Sequence, residues 1–324
     1  MHKKLYPFKF QPITQYRIWG GNKLNQAVSK ELQLDKLGEI WSISGVNENV
    51  SIVENGFLEG KNLNELIEQF QERLLGKKVW EKFGTSFPLL IKFIDAKQPL
   101  SVQVHPNDTL ARERHNSFGK SEMWYIMDAE NSAELIIGFK DEIIKDDYLK
   151  NLHSETLENV LEKIPVKKGD TFYLPAGRVH AIGAGIVLVE IQQTSDITYR
   201  IYDYNRIDKD GYKRELHTDL ALDVIDFTPI ENPKSLYKKP KNQFEELTDT
   251  PYFLTNIFEG TKPTSVETNN ELKIYICTEG SMKFITESSE IELQKYQSLL
   301  IPAEIDSYQI IPDESSTLIE VRIL

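Results

Sequence analysis

Apolar and polar residues alternate in many short stretches of this chain, which is the pattern expected for half-buried β-strands. The clearest example is residues 100–108 (LSVQVHPND). Because alternate side chains of a strand lie on one face, three apolar residues would point the same way: Leu100, Val102 and Val104. The polar residues of the opposite face are Ser101, Gln103 and His105. We therefore expect a strand that packs on one side and presents polar groups to a common centre on the other.

Helical patterns are fewer than strand patterns. Residues 63–70 place their apolar side chains on one stripe, with Asn62 as the N-cap. Residues 108–116 predict a short capped helix, and residues 141–163 predict a longer amphipathic helix. The balance of patterns predicts a mainly β protein with a few inserted helices.

The last third of the chain predicts a second β unit. A linker rich in proline and lysine is expected at residues 232–240, and residues 252–324 hold about seven short strand-like runs separated by turns. Residues 299–304 (LLIPAE) echo residues 172–177 (FYLPAG), which indicates a weak internal repeat. No histidine follows in the second copy. We therefore predict two jelly-roll barrels, of which the second binds no metal.

Residues with metal-ligand chemistry occur in three separate strand-like segments. Residues 119–127 (GKSEMWYIM) contain Glu122, and the turn at residues 175–177 is followed by His180. The resulting ligand set is Gln103, His105, Glu122 and His180. Two imidazoles, a carboxylate and an amide oxygen suit zinc with an open position for substrate. A lone histidine in a strand is usually structural, so the prediction depends on the combination of segments.

Three basic residues stand in segments that otherwise look buried or aromatic. Lys92 interrupts the apolar run of residues 89–94, which fits either an exposed position on an edge strand or an anion contact. Lys120 shares a strand face with Glu122, so it would face the same cavity as the metal. Arg200 alternates with tyrosines, on which it could stack.

The composition is that of a globular protein and excludes several classes. Of 324 residues, 40% are hydrophobic and 27% are charged, so a disordered chain is not expected. The formal net charge of -12 argues against a nucleic-acid partner. No apolar run is long enough to cross a bilayer, and the start of the chain lacks an apolar signal core. Together with the single cysteine, Cys277, this predicts a cytoplasmic location.

Five segments together resemble the type I mannose-6-phosphate isomerases in their short bacterial form. They are YRIWGG, FPLLIKFIDAKQPLSVQVHPND, GKSEMWYIM, LPAGRVHAIG and EIQQTSDITYRIYDYNR, and they run from Tyr16 to Arg206. The resemblance implies two jelly-roll barrels of the cupin type, with a zinc-binding catalytic unit at residues 1–231 and a metal-free unit at residues 241–324. It also implies one zinc ion per chain and a small phosphosugar substrate. The sequence leaves the oligomeric state open.

The resemblance further implies an aldose–ketose isomerase that interconverts mannose 6-phosphate and fructose 6-phosphate through a cis-enediol. The resemblance also carries over the roles of single residues: Lys120 would shuttle the proton, Asp196 would open the sugar ring and Arg200 would stabilise the enediolate. Lys92 and Ser101 would contact the phosphate, and Glu190 would be a further substrate-binding residue. Glu190 and a zinc-bound water remain alternatives for the general base. Two other functions stay open from the residues alone: a cupin dioxygenase that uses iron, and a non-catalytic sugar sensor.

Overall fold

The computed structural model describes residues 3–239 and 241–324, and the described chain is mainly β. The strands are β1 (Ile13–Gly21), β2 (Leu37–Ser44), β3 (Leu89–Ala96), β4 (Val102–Val104), β5 (Glu122–Ala129), β6 (Glu134–Phe139), β7 (Leu161–Pro165), β8 (Thr171–Leu174), β9 (His180–Ile182), β10 (Ile186–Gln193), β11 (Tyr199–Tyr202), β12 (Phe244–Asp249), β13 (Phe253–Gly260), β14 (Thr264–Glu267), β15 (Lys273–Ile285), β16 (Glu290–Gln294), β17 (Ser298–Ile301) and β18 (Ser307–Ile323). The α-helices are α1 (Leu63–Phe70), α2 (Glu72–Leu75), α3 (Lys77–Phe83), α4 (Asp108–His115), α5 (Lys145–His153) and α6 (Thr218–Leu222). Short 3-10 turns lie at Lys23–Ala27, Lys30–Leu32, Gly56–Leu58 and Leu157–Asn159.

The first two-thirds of the chain form two antiparallel sheets that pack on each other. One sheet has the order β1-β2-β3-β10-β5-β8, and the other has the order β11-β4-β9-β6-β7. Apolar side chains of both sheets meet in one buried cluster, in which Trp124 and Leu188 of the first sheet join Leu135 and Ile182 of the second. The predicted mainly β fold is thereby confirmed.

The last third of the chain forms a seven-stranded sheet, in which β18 and β15 are central. These two strands are long enough to change partners along their length. The first part of β15 pairs with β17 and its second part pairs with β16, and the β15–β18 register shifts between Cys277 and Ser281. Such shifts let one strand turn from one layer of a barrel into the other. The predicted run of short strands is therefore wrong in this respect, since two of the strands are long.

The two parts of the chain share one hydrophobic core. Its buried residues come from both parts and include Phe8, Phe93, Phe253, Ile274 and Leu300. The backbones of Phe8 and Leu300 are hydrogen-bonded to each other, and the buried hydroxyls of Ser42 and Ser298 lie 2.7 Å apart. The division into units 1–231 and 241–324 stays a prediction.

The segment predicted as a linker contacts the first sheet at Lys234 and Ser235. Lys234 forms a β-bridge with Phe172, and the Ser235 amide donates to the carbonyl of Thr171 at 2.9 Å. Pro240 lies outside the described residues. Within the described residues, the helices are all too short or too polar to cross a membrane.

Of two helices predicted from local sequence, one is confirmed and one is wrong in extent. Asn62 caps α1 through a capping box with Glu65, and the predicted apolar stripe of that helix is buried. The helix predicted over residues 141–163 is wrong in extent, because α5 ends at His153 and the strand β7 begins at Leu161. Pairing of β7 with β6 overrides the helical spacing of the leucines there.

Candidate active site

Strand pairing brings the four candidate metal ligands together. Gln103 in β4 is directly paired with His180 in β9, while His105 follows the end of β4 and Glu122 begins β5. The turn before β9 is held against the end of β4, because the amide of Gly177 donates to the His105 carbonyl at 2.9 Å. Gly177 has φ = +90°, a conformation that a residue with a side chain adopts only at a cost.

Both histidines direct the same ring atom at the same carboxylate. The Nδ1 atom of His105 lies 2.9 Å from the Ile197 carbonyl oxygen, and Nδ1 of His180 lies 2.8 Å from that of Arg178. A carbonyl oxygen only accepts, so each Nδ1 carries the proton and each Nε2 carries a lone pair. The Nε2 atoms lie 3.7 Å and 3.2 Å from the oxygens of Glu122 for His105 and His180, respectively.

Several of these inward-facing atoms have no hydrogen-bond partner within the described part of the chain. They are Nε2 of His105 and both carboxylate oxygens of Glu122, and all are buried. Orphaned buried acceptors are costly unless a further group satisfies them. The ligand atoms of His105, Glu122 and His180 all lie within 4.8 Å of one another, so one metal ion fits among them. These residues therefore suit a metal ion by geometry and by donor chemistry.

Gln103 completes the same cluster from the strand next to His180. Its Nε2 atom lies 3.3 Å from Nε2 of His180. Rotation of the amide by half a turn places Oε1 at this point instead, which is the oxygen that a metal would bind. Gln103 also lines the adjacent cavity and so lies between the three buried residues and the open space.

Burial controls the protonation of this cluster. Burial and the Lys120 ammonium lower the pKa of His105 well below its usual value, and burial lowers the pKa of His180 to about 4. Both imidazoles are therefore neutral near pH 7, which is the form that binds metal. Burial and the Glu190 carboxylate raise the pKa of Glu122. A divalent cation in this position would favour the ionised carboxylate again.

A cavity of about 440 Å³ opens beside this cluster. Its lining comprises Tyr16, Arg17, Ile18, Trp19, Glu39, Trp41, Lys92, Ile94, Leu100, Ser101, Gln103, Lys120, Glu190, Asp196, Thr198, Arg200, Asp208 and Arg214. Every candidate substrate-binding and catalytic residue named from the sequence is in this set. Ser101 is buried, whereas Asp196 is exposed and lies at the cavity mouth.

Lys92 is an interior residue of the first sheet, which rules out the alternative of an exposed position on an edge strand. Its strand β3 lies between β2 and β10, and its ammonium donates to Glu190 Oε1 at 3.0 Å and to Gln192 Oε1 at 2.7 Å. Burial by itself lowers the pKa of Lys92, but Glu190 and Glu39 outweigh this and raise it. The residue is therefore a charged lysine in the cavity wall.

Lys120 and Arg200 face the cavity in different surroundings. The Lys120 ammonium is buried and lies 3.5 Å from Glu122 Oε2. Arg200 donates from Nη1 to the carbonyl of Glu215 at 2.7 Å, and its buried Nε has no partner in residues 3–239 and 241–324. Stacking on a tyrosine, the alternative considered for Arg200, is made by Arg206 instead. The guanidinium carbon of Arg206 lies 5.3 Å from the ring centre of Tyr204.

Sequence reasoning missed four charged residues of the cavity wall, which are Arg17, Glu39, Asp208 and Arg214, and only Glu39 among them is buried. Glu39 is buried, accepts two hydrogen bonds from Arg17, and accepts a third from the indole of Trp41 at 2.7 Å. Burial by itself raises the pKa of Glu39, but Arg17 and Lys92 outweigh burial and bring it to about 2. The alternation of residues 38–44 contained the signal, because it places Glu39 and Trp41 on one face. Trp19 and Trp41 are buried, and both also line the cavity.

The chain matches a protein-family model over part of its length and known relatives over nearly all of it. Residues 7–141 match the model of the type I phosphomannose isomerase catalytic domain. The mannose-6-phosphate isomerase of Streptococcus mutans is 33% identical over 94% of both chains. Mannose-6-phosphate isomerase ManA of Bacillus subtilis is 34% identical over 94% of this chain and 95% of its own.

The chain belongs to the mannose-6-phosphate isomerase family. The crystal structure of the Bacillus subtilis mannose 6-phosphate isomerase superposes with a TM-score of 0.88 at 31% identity, over 98% of this chain and 99% of that one. A putative mannosephosphate isomerase from Archaeoglobus fulgidus, at 23% identity and a TM-score of 0.78, shares the fold. The predicted family, and with it the predicted class of aldose–ketose isomerases, is confirmed.

Proposed function

We propose that this protein is a zinc-dependent isomerase that interconverts mannose 6-phosphate and fructose 6-phosphate through a cis-enediol. The observation that carries the proposal is the pair of buried, neutral imidazoles whose Nε2 atoms both face the buried carboxylate of Glu122. The cavity beside them has a volume of about 440 Å³, which suits a hexose phosphate, and five of its lining residues are basic. Family membership favours this function over an iron dioxygenase or a sugar sensor.

Gln103, His105, Glu122 and His180 would hold one zinc ion per chain. When bound, zinc supplies a Lewis acid for the sugar oxygens next to the reacting carbons. The Nδ1 hydrogen bonds of the two histidines would keep their rings oriented toward that site.

Proton transfer between the two carbons needs a group that exchanges a proton beside the substrate. We assign this role to Lys120, whose ammonium is buried at the cavity floor near Glu122. Glu190 suits the role less well. Burial raises its pKa, but Lys92 and Lys120 outweigh burial and lower it, so this carboxylate is a weak base near neutral pH.

Arg200 would stabilise the negative charge that develops on the enediolate oxygen. Its guanidinium lines the cavity and carries five N–H donors, of which the described contacts with the Glu215 carbonyl use only Nη1. Asp196, at the mouth, would assist opening of the sugar ring. Lys92 and Ser101 would contact the phosphate, through an ammonium and a hydroxyl.

The test is a coupled assay with mannose 6-phosphate on the purified protein, before and after chelation, with elemental analysis of the same samples. We expect activity that is lost with the metal and returns when zinc is added. Fully zinc-loaded, folded protein that leaves mannose 6-phosphate unchanged would refute the proposal. We also propose a cytoplasmic location, and a phosphosugar rather than a nucleic acid as the partner.

A further inference from the structure

Lys120 has few direct contacts that could fix the position of its ammonium. Its one close charged partner among the residues that the structure describes is Glu122, at 3.5 Å, and Lys120 lies just before β5 rather than within that strand. The position of this side chain therefore depends on how its backbone is held. The three-residue segment Gly119–Lys120–Ser121, here called the lysine segment, carries no regular secondary structure.

Every backbone N–H group of the lysine segment has a specific partner. The Gly119 amide donates to Asp108 Oδ1 at 2.9 Å, and the Lys120 amide donates to the Pro106 carbonyl at 3.1 Å. The Ser121 amide donates to the side-chain oxygen of Gln193 at 3.0 Å. Two of these three acceptors are side chains, so the position of the segment is set by residues distant in sequence.

Gln193 joins these contacts into one unit. Gln193 is buried, and its backbone N–H donates to the Ser121 carbonyl at 3.1 Å. Its side-chain Nε2 donates to Asp108 Oδ1 at 3.0 Å. The same carboxylate oxygen thus receives hydrogen bonds from Gln193 and from Gly119. These bonds close a ring of contacts around the lysine segment, which we call the Gln193–Asp108 clamp.

The absence of a side chain at Gly119 is part of the same arrangement. A Cβ atom there would lie 2.5 Å from the Asp108 nitrogen and 2.7 Å from the Asn107 carbonyl carbon, which are backbone atoms that yield little. Glycine therefore lets the lysine segment press against the start of α4. On the other side, the hydroxyl of Ser121 accepts from the amide of Ala176 at 3.1 Å, in the turn that precedes His180.

We propose that Gln193 and Asp108 are positioning residues for the isomerase reaction, which hold the ammonium of Lys120 at the cavity floor. The inference rests on the proposed function of Lys120 as the proton-transfer group. Neither residue lines the cavity, so neither is expected to contact substrate. Their contribution should therefore appear in turnover and not in substrate affinity, because displacement of a reacting group by about 1 Å can cost up to about a hundredfold in rate.

The experiment compares Gln193→Ala, Asp108→Ala and Asp108→Asn with the wild type, all loaded with zinc. We expect the two alanine variants to lower kcat by about tenfold or more, with KM within about twofold of the wild type. Asp108→Asn keeps the Oδ1 acceptor for both donors, so its kcat should stay near the wild-type value. Equal losses in Asp108→Asn and Asp108→Ala, or a loss confined to KM, would overturn the inference.

A double-mutant comparison separates positioning from general destabilisation. If Gln193 acts only through Lys120, then Gln193→Ala should have no further effect on kcat in a Lys120→Ala background. The matched control is Ser316→Ala, which removes a buried hydroxyl that bonds to Ser281 and Asp313 in the last third of the chain. It should lower the melting temperature with kcat unchanged. Independent, multiplying losses from Gln193→Ala and Lys120→Ala would contradict the clamp.

Amide hydrogen exchange tests the clamp without any assay of activity. Exchange of the Gly119 and Ser121 amides should be faster by about tenfold or more in Gln193→Ala, and unchanged in Ser316→Ala. Unchanged exchange in Gln193→Ala would refute the clamp even in an active enzyme. Faster exchange in a protein that does not isomerise mannose 6-phosphate would instead refute the proposed function and leave the clamp in place.

Discussion

The ammonium of Lys92 lies 3.0 Å from Oε1 of Glu190, and both side chains are almost completely buried in the cavity wall. The second oxygen of Glu190 accepts from the indole of Trp124 at 2.9 Å, and Lys92 also donates to Gln192. Each charge is therefore compensated inside the protein. This pair lies on neighbouring strands, because Lys92 and Glu190 are directly opposite each other in the β3–β10 ladder.

Removal of one member of this pair should be strongly destabilising. Glu190→Ala leaves the Lys92 ammonium buried beside Gln192 and Glu39, and loss of one partner of a buried pair costs about 3–5 kcal/mol. The free energy of unfolding should fall by this amount in urea denaturation. The control is Lys283→Ala, which breaks an exposed, solvent-screened pair with Glu290 and should change the free energy of unfolding far less. Equal effects of the two variants would contradict this assessment.

The metal site should depend on its two histidines and not on an exposed one. His105→Ala and His180→Ala each remove a ligand whose Nε2 faces Glu122, so each should lose most of the bound zinc. His153→Ala is the matched control, since His153 is exposed at the end of α5. Zinc per chain is measured by elemental analysis after dialysis. If both ligand variants retained about one zinc ion, the assignment of His105 and His180 as zinc ligands would be wrong.

Arg200 separates a catalytic role from a packing role. Arg200→Lys should keep the fold and the zinc and lower kcat by about two to three orders of magnitude, which corresponds to about 3–4 kcal/mol of transition-state stabilisation. A lysine cannot reproduce the planar guanidinium, which offers several N–H donors in a fixed geometry. Steady-state kinetics and thermal unfolding of the same variant decide the matter. A lower melting temperature together with unchanged kcat would show that Arg200 is structural.

Glu39 should make the protein sensitive to acid. Its pKa in the folded protein is about 2, against an ordinary value of 4.5, because Arg17 and Lys92 outweigh its burial. Because the folded protein favours the ionised carboxylate, Glu39 stabilises the fold at pH values above its ordinary pKa. This contribution is lost as the pH falls toward 2. Glu39→Gln should therefore reduce stability by about 3 kcal/mol at pH 7 and have little effect near pH 2. Unfolding curves over this pH range measure the difference, and an equal effect at both ends would speak against it.

The shared core makes a prediction about the division of the chain. A fragment ending at residue 239 keeps every candidate metal ligand but exposes the face that packs against Phe253, Ile274 and Leu300. Each large apolar side chain of the remaining part that loses this cover and becomes exposed costs about 1.5–3 kcal/mol. We expect this fragment to lack the cooperative melting transition that the full chain shows. A cooperative transition near that of the full chain would instead support an independent N-terminal unit.

The sequence by itself determined which side chains share a face. Period-two alternation placed Gln103 beside His105, and Glu122 beside Lys120, because successive residues of a strand must point in opposite directions. Helix capping at Asn62 was equally readable, since it depends on residues three positions apart. The family resemblance added the roles of the residues, and the family itself is confirmed.

Only the tertiary structure decided which faces meet. The pairing of Lys92 with Glu190 and the clamp between Gln193 and Asp108 join strands and a helix that are far apart in sequence. No local pattern contains the register of such strands, because register is set by the packing of the whole sheet. The helix predicted over residues 141–163 failed for the same reason. Its apolar spacing suited a helix, whereas an available edge of β6 made a strand at Leu161–Pro165.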